Sequence, residues 1–307
     1  MQYPIETPTL NAQFINRAFV DKLTGGHEKE AMEAGTAFIR EKLRQEAAVR
    51  EIIAPEAIAE EELDRDTDSD QPKKVIDKEP DSVATYCQFQ GSGPRTWFRG
   101  KRYAIYFFKI ESQRFTQSKF NLMTYTSDIR KILSDNSVKD IADIEDKYFV
   151  DMLDAIIAGN PTVQASSGPF TSATFKDAMQ RMLARRRPVG KLLLTKERFM
   201  DALDLPATSV GNDVASRHFD EGIESTQKLW GIPCVTTIKG DIYDHNKAWI
   251  FSPQKPNNFL GNFLLLQDAT LFIKQEADVL SFWTYEALGL GIGNTLSVQE
   301  IDFTTNS

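Results

Sequence analysis

The chain has 307 residues, with 36 lysines and arginines against 44 aspartates and glutamates, and a formal net charge of −8. Its 41% of hydrophobic residues excludes a disordered or collagen-like chain and can supply the core of one large or two medium domains. The acidic balance disfavours general affinity for nucleic acid, because phosphate binding depends on clustered cations. No apolar run reaches the roughly 18 residues that span a bilayer, no signal peptide is visible, and two cysteines cannot form a disulfide framework. We therefore expect a soluble protein of a reducing compartment.

The beginning of the chain predicts an arm. Residues 1–27 show no sustained period and contain a Gly-Gly pair, which predicts an extended segment. Residues 28–53 predict a long helix with a narrow apolar stripe, in which Glu46 and Arg50 would pair across one turn. Residues 56–70 hold eight acids and one base and predict a solvated connector. Their alternating carboxylates also suggest a calcium loop, but the turn glycine and the final glutamate of an EF-hand are absent.

Strand periodicity begins at residue 75 and continues to residue 110. The pattern predicts strands over 83–89 and 103–110 that belong to a long hairpin excursion. A lone hairpin buries too little surface to be stable, so we expect it to lie against another surface. Its distal end carries aromatic and basic residues of the kinds enriched in interfaces, and these are candidates for contacts between subunits: Trp97, Phe98, Arg99, Lys101 and Arg102.

The clearest helix follows. Ser137 is a suitable N-cap, and Gly159-Asn160-Pro161 ends the helical pattern. About 21 residues at roughly 1.5 Å each make a rod about 30 Å long. The apolar stripe that we expect to face the core consists of Ile141, Ile144, Tyr148, Met152 and Ile156.

The remainder of the chain predicts an α/β region over 162–270 and then further strands. The expected elements are helix 173–187, strand 192–195, helix 196–203, helix 213–231, strand 233–238, strand 248–251, and final strands at 270–274, 282–286 and 295–303. Helix 173–187 is expected to bury Phe175, Met179, Met182 and Leu183.

The sequence contains no recognisable catalytic motif. The sequence has no G-x-S-x-G nucleophile elbow that could supply a nucleophile for a histidine base, and the three histidines are His27, His218 and His245. The glycine-rich segment 289–294 lacks the spacing of a phosphate-binding loop. Two cysteines, Cys87 and Cys234, lie in strand-like runs, where a small buried side chain is the expected role. We therefore predict no enzymatic activity, no cofactor and no metal.

A basic cluster lies in the last turns of helix 173–187 and just beyond it, and consists of Arg181, Arg185, Arg186, Arg187 and Lys191. Three interpretations remain open for it. The cations offset the helix dipole on a plain surface, they contact another subunit, or they bind nucleic acid.

The order of these elements resembles that of the major capsid proteins of tailed bacteriophages, which have the Hong Kong 97-type shell fold. Four segments carry the resemblance: NSVKDIADIEDKYFVDMLDAI (136–156), LLLTKERFMDAL (192–203), GIPCVTTIKGDIYDHNKAWIFSPQ (231–254) and DATLFIKQEADVLSFWTYEALGLGIGN (268–294). The first looks like the spine helix of that family. The others look like its strand–helix step, its Gly-x-Pro strand and its aromatic-rich strands near the chain end.

The resemblance implies an α+β fold with four parts. These are an N-terminal arm (1–70), an extended hairpin loop (71–120), a peripheral domain with the spine helix (121–160 and 270–307) and an α/β axial domain (161–269). It also implies a structural protein of the virion, assembled in the host cytoplasm into hexamers and pentamers of an icosahedral shell. The implied partners are further copies of the chain, scaffolding and portal proteins and possible decoration proteins. The shell would enclose DNA without sequence-specific binding, and no membrane is implied.

Three other functions stay open from the sequence. The first is another phage structural component, such as a decoration or tube protein. The second is a soluble α/β hydrolase, which would need a pocket that holds His218 or His245 beside a nucleophile. The third is a nucleic-acid-binding module that uses residues 185–187, which the net negative charge disfavours.

Overall fold

The computed structural model describes residues 8–77, 86–93, 101–125, 129–133, 137–160, 162–163, 165–201, 228–254 and 260–303. The helices are α1 (Pro8–Thr24), α2 (Glu28–Glu46), α3 (Ala48–Ile52), α4 (Lys119–Thr124), α5 (Ile129–Leu133), α6 (Lys139–Gly159), α7 (Ser172–Ala184) and α8 (Lys196–Met200). The strands are β1 (Pro55–Ala57), β2 (Asp64–Arg65), β3 (Pro72–Asp77), β4 (Arg102–Tyr106), β5 (Phe108–Glu111), β6 (Phe115–Ser118), β7 (Ser166–Ser167), β8 (Lys191–Thr195), β9 (Lys228–Leu229), β10 (Ile232–Thr237), β11 (Lys247–Phe251), β12 (Asn262–Glu276), β13 (Val279–Gly291) and β14 (Val298–Asp302).

Within these ranges the strands form three sheets. The hairpin sheet has the order β1-β12-β13-β5, and β6 pairs with the distal part of β13. The mixed sheet has the order β7-β14-β11-β8-β10-β9, and the loop sheet has the order β2-β3-β4. The α+β class predicted from the sequence is confirmed.

The hairpin sheet is built on a long antiparallel pair, β12 and β13, which extends well beyond the strands predicted at 270–274 and 282–286. Side chains of β13 alternate between faces, as strand geometry requires. The buried face carries Leu280, Phe282, Thr284, Glu286 and Leu288. A glutamate thus occupies a core position in a row that is otherwise uncharged.

The mixed sheet contains the predicted strands β8, β10 and β11. Strands β8 and β10 are parallel, and β11 runs antiparallel to β8. Strand β14 pairs with β11, so residues 298–302 also lie in the mixed sheet. The domain boundaries themselves stay a prediction.

Several local predictions were wrong. Residues 8–24 form helix α1 instead of an extended segment, because α1 buries Val20 and Leu23 in the core beside α2 and α4. The predicted helix 28–53 is broken at Ala47, whose extended backbone (φ −85°, ψ 112°) separates α2 from α3.

Predictions beyond the arm also need correction. Residues 86–89 are not a strand, and β9 occupies the end of the predicted helix 213–231. Leu183 of α7 is exposed. The rest of the predicted helix, at 213–227, lies outside the described residues.

Helix α6 is present as predicted, but its buried face is turned away from the predicted stripe. Ile144 is 46% exposed, and only Ile141 of that stripe is fully buried. The side chains that face the core are Ile141, Ala142, Glu145, Asp146, Phe149 and Leu153. Two carboxylates therefore enter the interior from this helix.

Among the helices in the described ranges, none has both the length and the apolar character that crossing a bilayer requires.

Candidate functional site: the arm junction

A buried ionic cluster, the arm junction, forms where α3 meets α6 and the hairpin sheet. Its members are Arg50 of α3, Glu145 and Asp146 of α6, Lys239 after β10, and Glu286 of β13. Buried charges are found almost only where they are paired, so the positions of these groups fix how the elements fit together.

Arg50 is the centre of the junction. Its Nε and Nη2 atoms donate to the two carboxylate oxygens of Glu145 at 2.9 and 2.6 Å, and Nη2 also donates to Glu286 Oε2 at 2.7 Å. The side chains are 2% exposed for Arg50, 1% for Glu145 and 0% for Glu286. A bidentate guanidinium–carboxylate pair is among the stronger and more directional contacts in proteins. The arm is therefore held to the long helix and to the hairpin sheet through one side chain.

Asp146 accepts hydrogen bonds on the side of the junction that faces Lys239. Its carboxylate accepts from the backbone N–H of Val49 at 3.0 Å, which satisfies a donor at the start of α3, where no intrahelical partner exists. Lys239 donates to the same carboxylate at 2.7 Å. Asp146 thus links the arm, helix α6 and the end of β10.

The electrostatic surroundings shift the pKa values of several groups in the arm junction. Burial raises the pKa of the Glu286 carboxyl well above its usual range, the facing Glu145 adds to the shift, and Arg50 opposes it without cancelling it. Burial also raises the pKa of Asp146, although Lys239 acts against the shift. Burial alone lowers the pKa of Lys239, but the facing carboxylates raise it above its ordinary value. The junction therefore favours an uncharged Glu286 carboxyl and a charged Lys239.

Further contacts fasten the segment that follows α3. The Ala54 backbone donates to and accepts from the side-chain amide of Gln254, at 2.9 and 3.1 Å, and Lys191 Nζ donates to the Glu51 carbonyl. Strand β1 then pairs in parallel with the start of β12. The arm is thus anchored at successive points on both larger sheets.

The glycine-rich segment 289–294 has a packing role. A Cβ atom at Gly289 would lie 2.9 Å from Ile105, and one at Gly291 would lie 2.7 Å from the same side chain. These distances are shorter than carbon atoms tolerate, so glycine lets the loop sheet approach the hairpin sheet closely.

The distal loop candidates are only partly within the described residues. Trp97, Phe98 and Arg99 lie outside them. Lys101 is exposed, and Arg102 at the start of β4 is exposed and pairs with Asp77 at 2.6 Å. The loop also presents two aromatic side chains that are not among the predicted contact residues, since Tyr86 and Phe89 are fully exposed.

The basic cluster does not form one continuous cationic surface. Arg185 is half-buried and turned to β14, where it donates to the Val298 carbonyl at 3.3 Å and to the side-chain oxygen of Gln299. Arg186 is exposed, with a positive φ of 57° after the end of α7. Arg187 is partly buried. Arg185 therefore serves the packing of α7 on the mixed sheet, and any contact with another molecule by the cluster stays a prediction.

This difference between neighbouring arginines is testable by stability. Changing Arg185→Met is expected to lower the free energy of unfolding by about 1–2 kcal/mol, because two buried acceptors on β14 lose their donor. Changing Arg186→Met is the matched control and is expected to shift stability by no more than about 0.5 kcal/mol. Urea denaturation of both variants measures the difference, and equal midpoints would contradict it.

The remaining sequence candidates are dispersed. His27 and His245 are exposed and lie beside Glu30 and Asp244, while His218 is outside the described residues. Burial raises the pKa of Cys234 to about 12, which suits the predicted role of a small core side chain. Cys87 is exposed, so the same prediction was wrong for it.

The described residues thus contain a long hairpin sheet, a helix of 21 residues (α6), a separate mixed sheet and the small loop sheet. Solved capsid structures with the same arrangement show that the chain has the Hong Kong 97-type capsid fold, as predicted from the sequence.

Solved structures share this fold over most of the chain. The virus-like particle protein of Pyrococcus furiosus is 14% identical, and the match covers 89% of this chain and 100% of that chain with a TM-score of 0.56. The mature capsid of bacteriophage PhiM1 is 9% identical over 82% of this chain and 86% of that chain, with a TM-score of 0.56. The capsid of cyanophage P-SCSP1u is 12% identical over 75% of this chain and 83% of that chain, with a TM-score of 0.54. No family model and no curated protein sequence matches the chain.

Proposed function

We propose that this chain is the major capsid protein of a tailed bacteriophage, and that its copies assemble into hexamers and pentamers of an icosahedral shell that encloses DNA. The observation that carries the proposal is the shared fold, which extends over 89% of this chain and the full length of a virus-like particle protein. Because one fold can host several functions, the surface of the chain must also suit assembly.

The exposed loop supports self-association. Tyr86 and Phe89 project from it without cover, and aromatic side chains contribute most of their energy when they are buried at an interface. In a shell, each subunit is surrounded by other copies of the same chain, so the partner proposed for these rings is a second copy. The distal candidates Trp97, Phe98, Arg99, Lys101 and Arg102, together with Arg186 of the basic cluster, remain proposed contact residues.

Other partners follow from the same proposal. A shell of this kind would be assembled in the host cytoplasm with scaffolding and portal proteins, would take up decoration proteins where they exist, and would end in the virion. The net charge of −8 supports this role, because a shell of acidic subunits would enclose DNA without binding its phosphates tightly. The proposed role is structural and not enzymatic.

Sedimentation velocity of the purified full chain over a wide concentration range tests the proposal. We expect capsomer-sized species or megadalton shells, which electron micrographs would show as closed lattices. A decoration or tube protein would instead bind a preformed lattice without forming capsomers. A strict monomer at every concentration, also when scaffold is co-expressed, would contradict the proposal.

The loop aromatics give a sharper version of this test. Changing Tyr86→Ser together with Phe89→Ser is expected to raise the concentration needed for assembly by about tenfold or more, because two exposed rings no longer gain from burial. The exchange Tyr86→Phe with Phe89→Tyr is the control, since it keeps both rings. Circular dichroism should be the same for all three chains, and unchanged assembly of the serine variant would exclude the loop as a contact.

A further inference from the structure

The arm junction contains more buried negative than positive charge. Within the described ranges, its cations are Arg50 and Lys239, and its carboxylates with at most 1% exposure are Glu145, Asp146 and Glu286. If all three carboxylates were ionised, one negative charge would have no counter-charge in a region closed to water. A buried group in that position takes up a proton instead of remaining charged.

The geometry identifies where that proton lies. Glu145 and Glu286 both accept from the same Arg50 nitrogen, at 2.6 and 2.7 Å, which places the two carboxyl groups side by side, and Glu286 Oε1 is buried without a hydrogen-bond partner among the residues that the structure describes. Two carboxylates that share one site cannot both ionise readily. Glu145 receives two donors from the guanidinium and Glu286 receives one. The proton therefore belongs on Glu286, which then accepts from Arg50 and donates to Glu145.

Among the described residues, no other element supplies a counter-charge for a second ionised carboxylate at Glu286. Asp268 of β12 lies 3.8 Å from Arg50, is partly exposed and has Arg40 of α2 as a closer partner at 3.2 Å. On the neighbouring strand β5, the residue directly opposite Glu286 is Ile110, which carries no charge. In the described part of the chain, the charged groups around Glu286 are therefore Arg50 from α3 and Glu145 from α6, with Asp268 from β12 in contact with Arg50.

We propose that the arm junction is a proton-dependent latch, in which one proton held between Glu145 and Glu286 keeps α3 closed on α6 and on the hairpin sheet, and in which loss of this proton opens α3. The inference concerns the single chain and does not depend on shell assembly. Opening would free the arm at the point where it enters the body of the fold.

The sign of the pH dependence follows from the raised pKa of Glu286. The closed junction binds the proton more tightly than the open junction, where Glu286 is solvated and has its ordinary pKa. The closed state is therefore most stable below the ordinary pKa of glutamate, and its stability falls as the pH rises towards the raised value. Over this interval the open population grows by about tenfold for each pH unit.

Trypsin cleavage of the full chain, at concentrations below any assembly, measures this opening. Cleavage after Arg50 requires that α3 leaves its buried position, whereas cleavage after the exposed Lys101 does not. The ratio of the two cleavage rates cancels the pH dependence of the protease itself. Between pH 6 and pH 8 we expect the ratio to rise, by about tenfold for each pH unit that lies below the raised pKa of Glu286. A ratio that stays constant over this range would overturn the proposal.

The variant Glu286→Gln separates the latch from a general loss of stability. Glutamine has the shape of a protonated glutamate and can accept from Arg50 while it donates to Glu145. We expect the variant to remain closed and its cleavage ratio to change by less than about twofold over the same pH range. Glu276→Gln, a change of the same type at an exposed glutamate near the hairpin tip, should keep the full rise. An equal rise in Glu286→Gln and in the natural chain would contradict the latch.

An infrared difference spectrum provides a second measurement that requires no opening. The spectrum of the natural chain at pH 7 minus that of Glu286→Gln should contain the carbonyl band of a protonated carboxylic acid. A carboxylate band in its place would show that Glu286 is ionised in the closed chain, and this result also would overturn the proposal.

Discussion

Replacing Arg50 with methionine is expected to lower the free energy of unfolding by about 3–5 kcal/mol, because Glu145 would then remain buried without a counter-charge. Arg50 supplies three charge-assisted hydrogen bonds of 2.6–2.9 Å to two carboxyl groups that are almost completely buried. Urea denaturation at pH 7, followed by circular dichroism, measures the loss. A methionine keeps most of the volume of the arginine stem, so the effect reports the lost charge more than a cavity.

Two further chains make this result interpretable. Arg102→Met removes an exposed ion pair with Asp77, and we expect a change within about 0.5 kcal/mol. The triple variant Arg50→Met, Glu145→Leu and Glu286→Leu removes all the charges of that side of the junction, and most of the lost stability should return. If Arg50→Met and Arg102→Met unfolded at the same urea concentration, the junction would contribute nothing to the fold.

Truncation of Phe149 to alanine is expected to cost about 3–5 kcal/mol, because the phenyl ring fills a closed part of the core and would leave a cavity. Phe149 is completely buried on α6, and its ring centroid lies 5.6 Å from that of Phe251 on the mixed sheet. The ring thus joins the long helix to the mixed sheet, and its loss should destabilise the whole chain in a single transition. Thermal and urea unfolding both measure this effect.

Ile144→Ala on the same helix is the control for the Phe149 variant. Ile144 belongs to the apolar stripe that the sequence predicts, but it is 46% exposed in the structure. We therefore expect a loss below about 1 kcal/mol. The opposite order of the two losses would mean that the predicted stripe, and not the observed face, packs on the core.

Regular periodicity explains which elements were predictable. Helix α6 and strands β8, β10 and β11 have strong 3.6- or 2-residue patterns, and all are present close to the predicted bounds. The order of elements also led to the correct fold class. The arm helix α1 has a weak pattern and owes its form to packing, because its apolar side chains are buried only where the rest of the chain surrounds them.

The arm junction was missed for a related reason, although signals for it exist. Glu286 has the same parity as Phe282 and Leu288 in β13, and Glu145 lies one helical turn from Ile141 and from Phe149 on α6. Each of these positions predicts burial of a carboxylate, but the partner is distant in sequence. The pairing of Arg50 with Glu46, expected from local spacing, fails because the helix breaks between them at Ala47.

The sequence by itself determined what depends on neighbouring residues: the long helix, the central strands, the turn positions and the acidic character of the surface. Only the tertiary structure decided what depends on distant residues. These features are the face of α6 that is buried, the sheet that β14 joins and the hydrogen bonds from Arg50 to Glu145 and Glu286. Local periodicity indicates an element because the residues that form its apolar face lie only two to four positions apart in the sequence. A buried charge is stabilised only by the partner that faces it, and that partner is set by the fold as a whole.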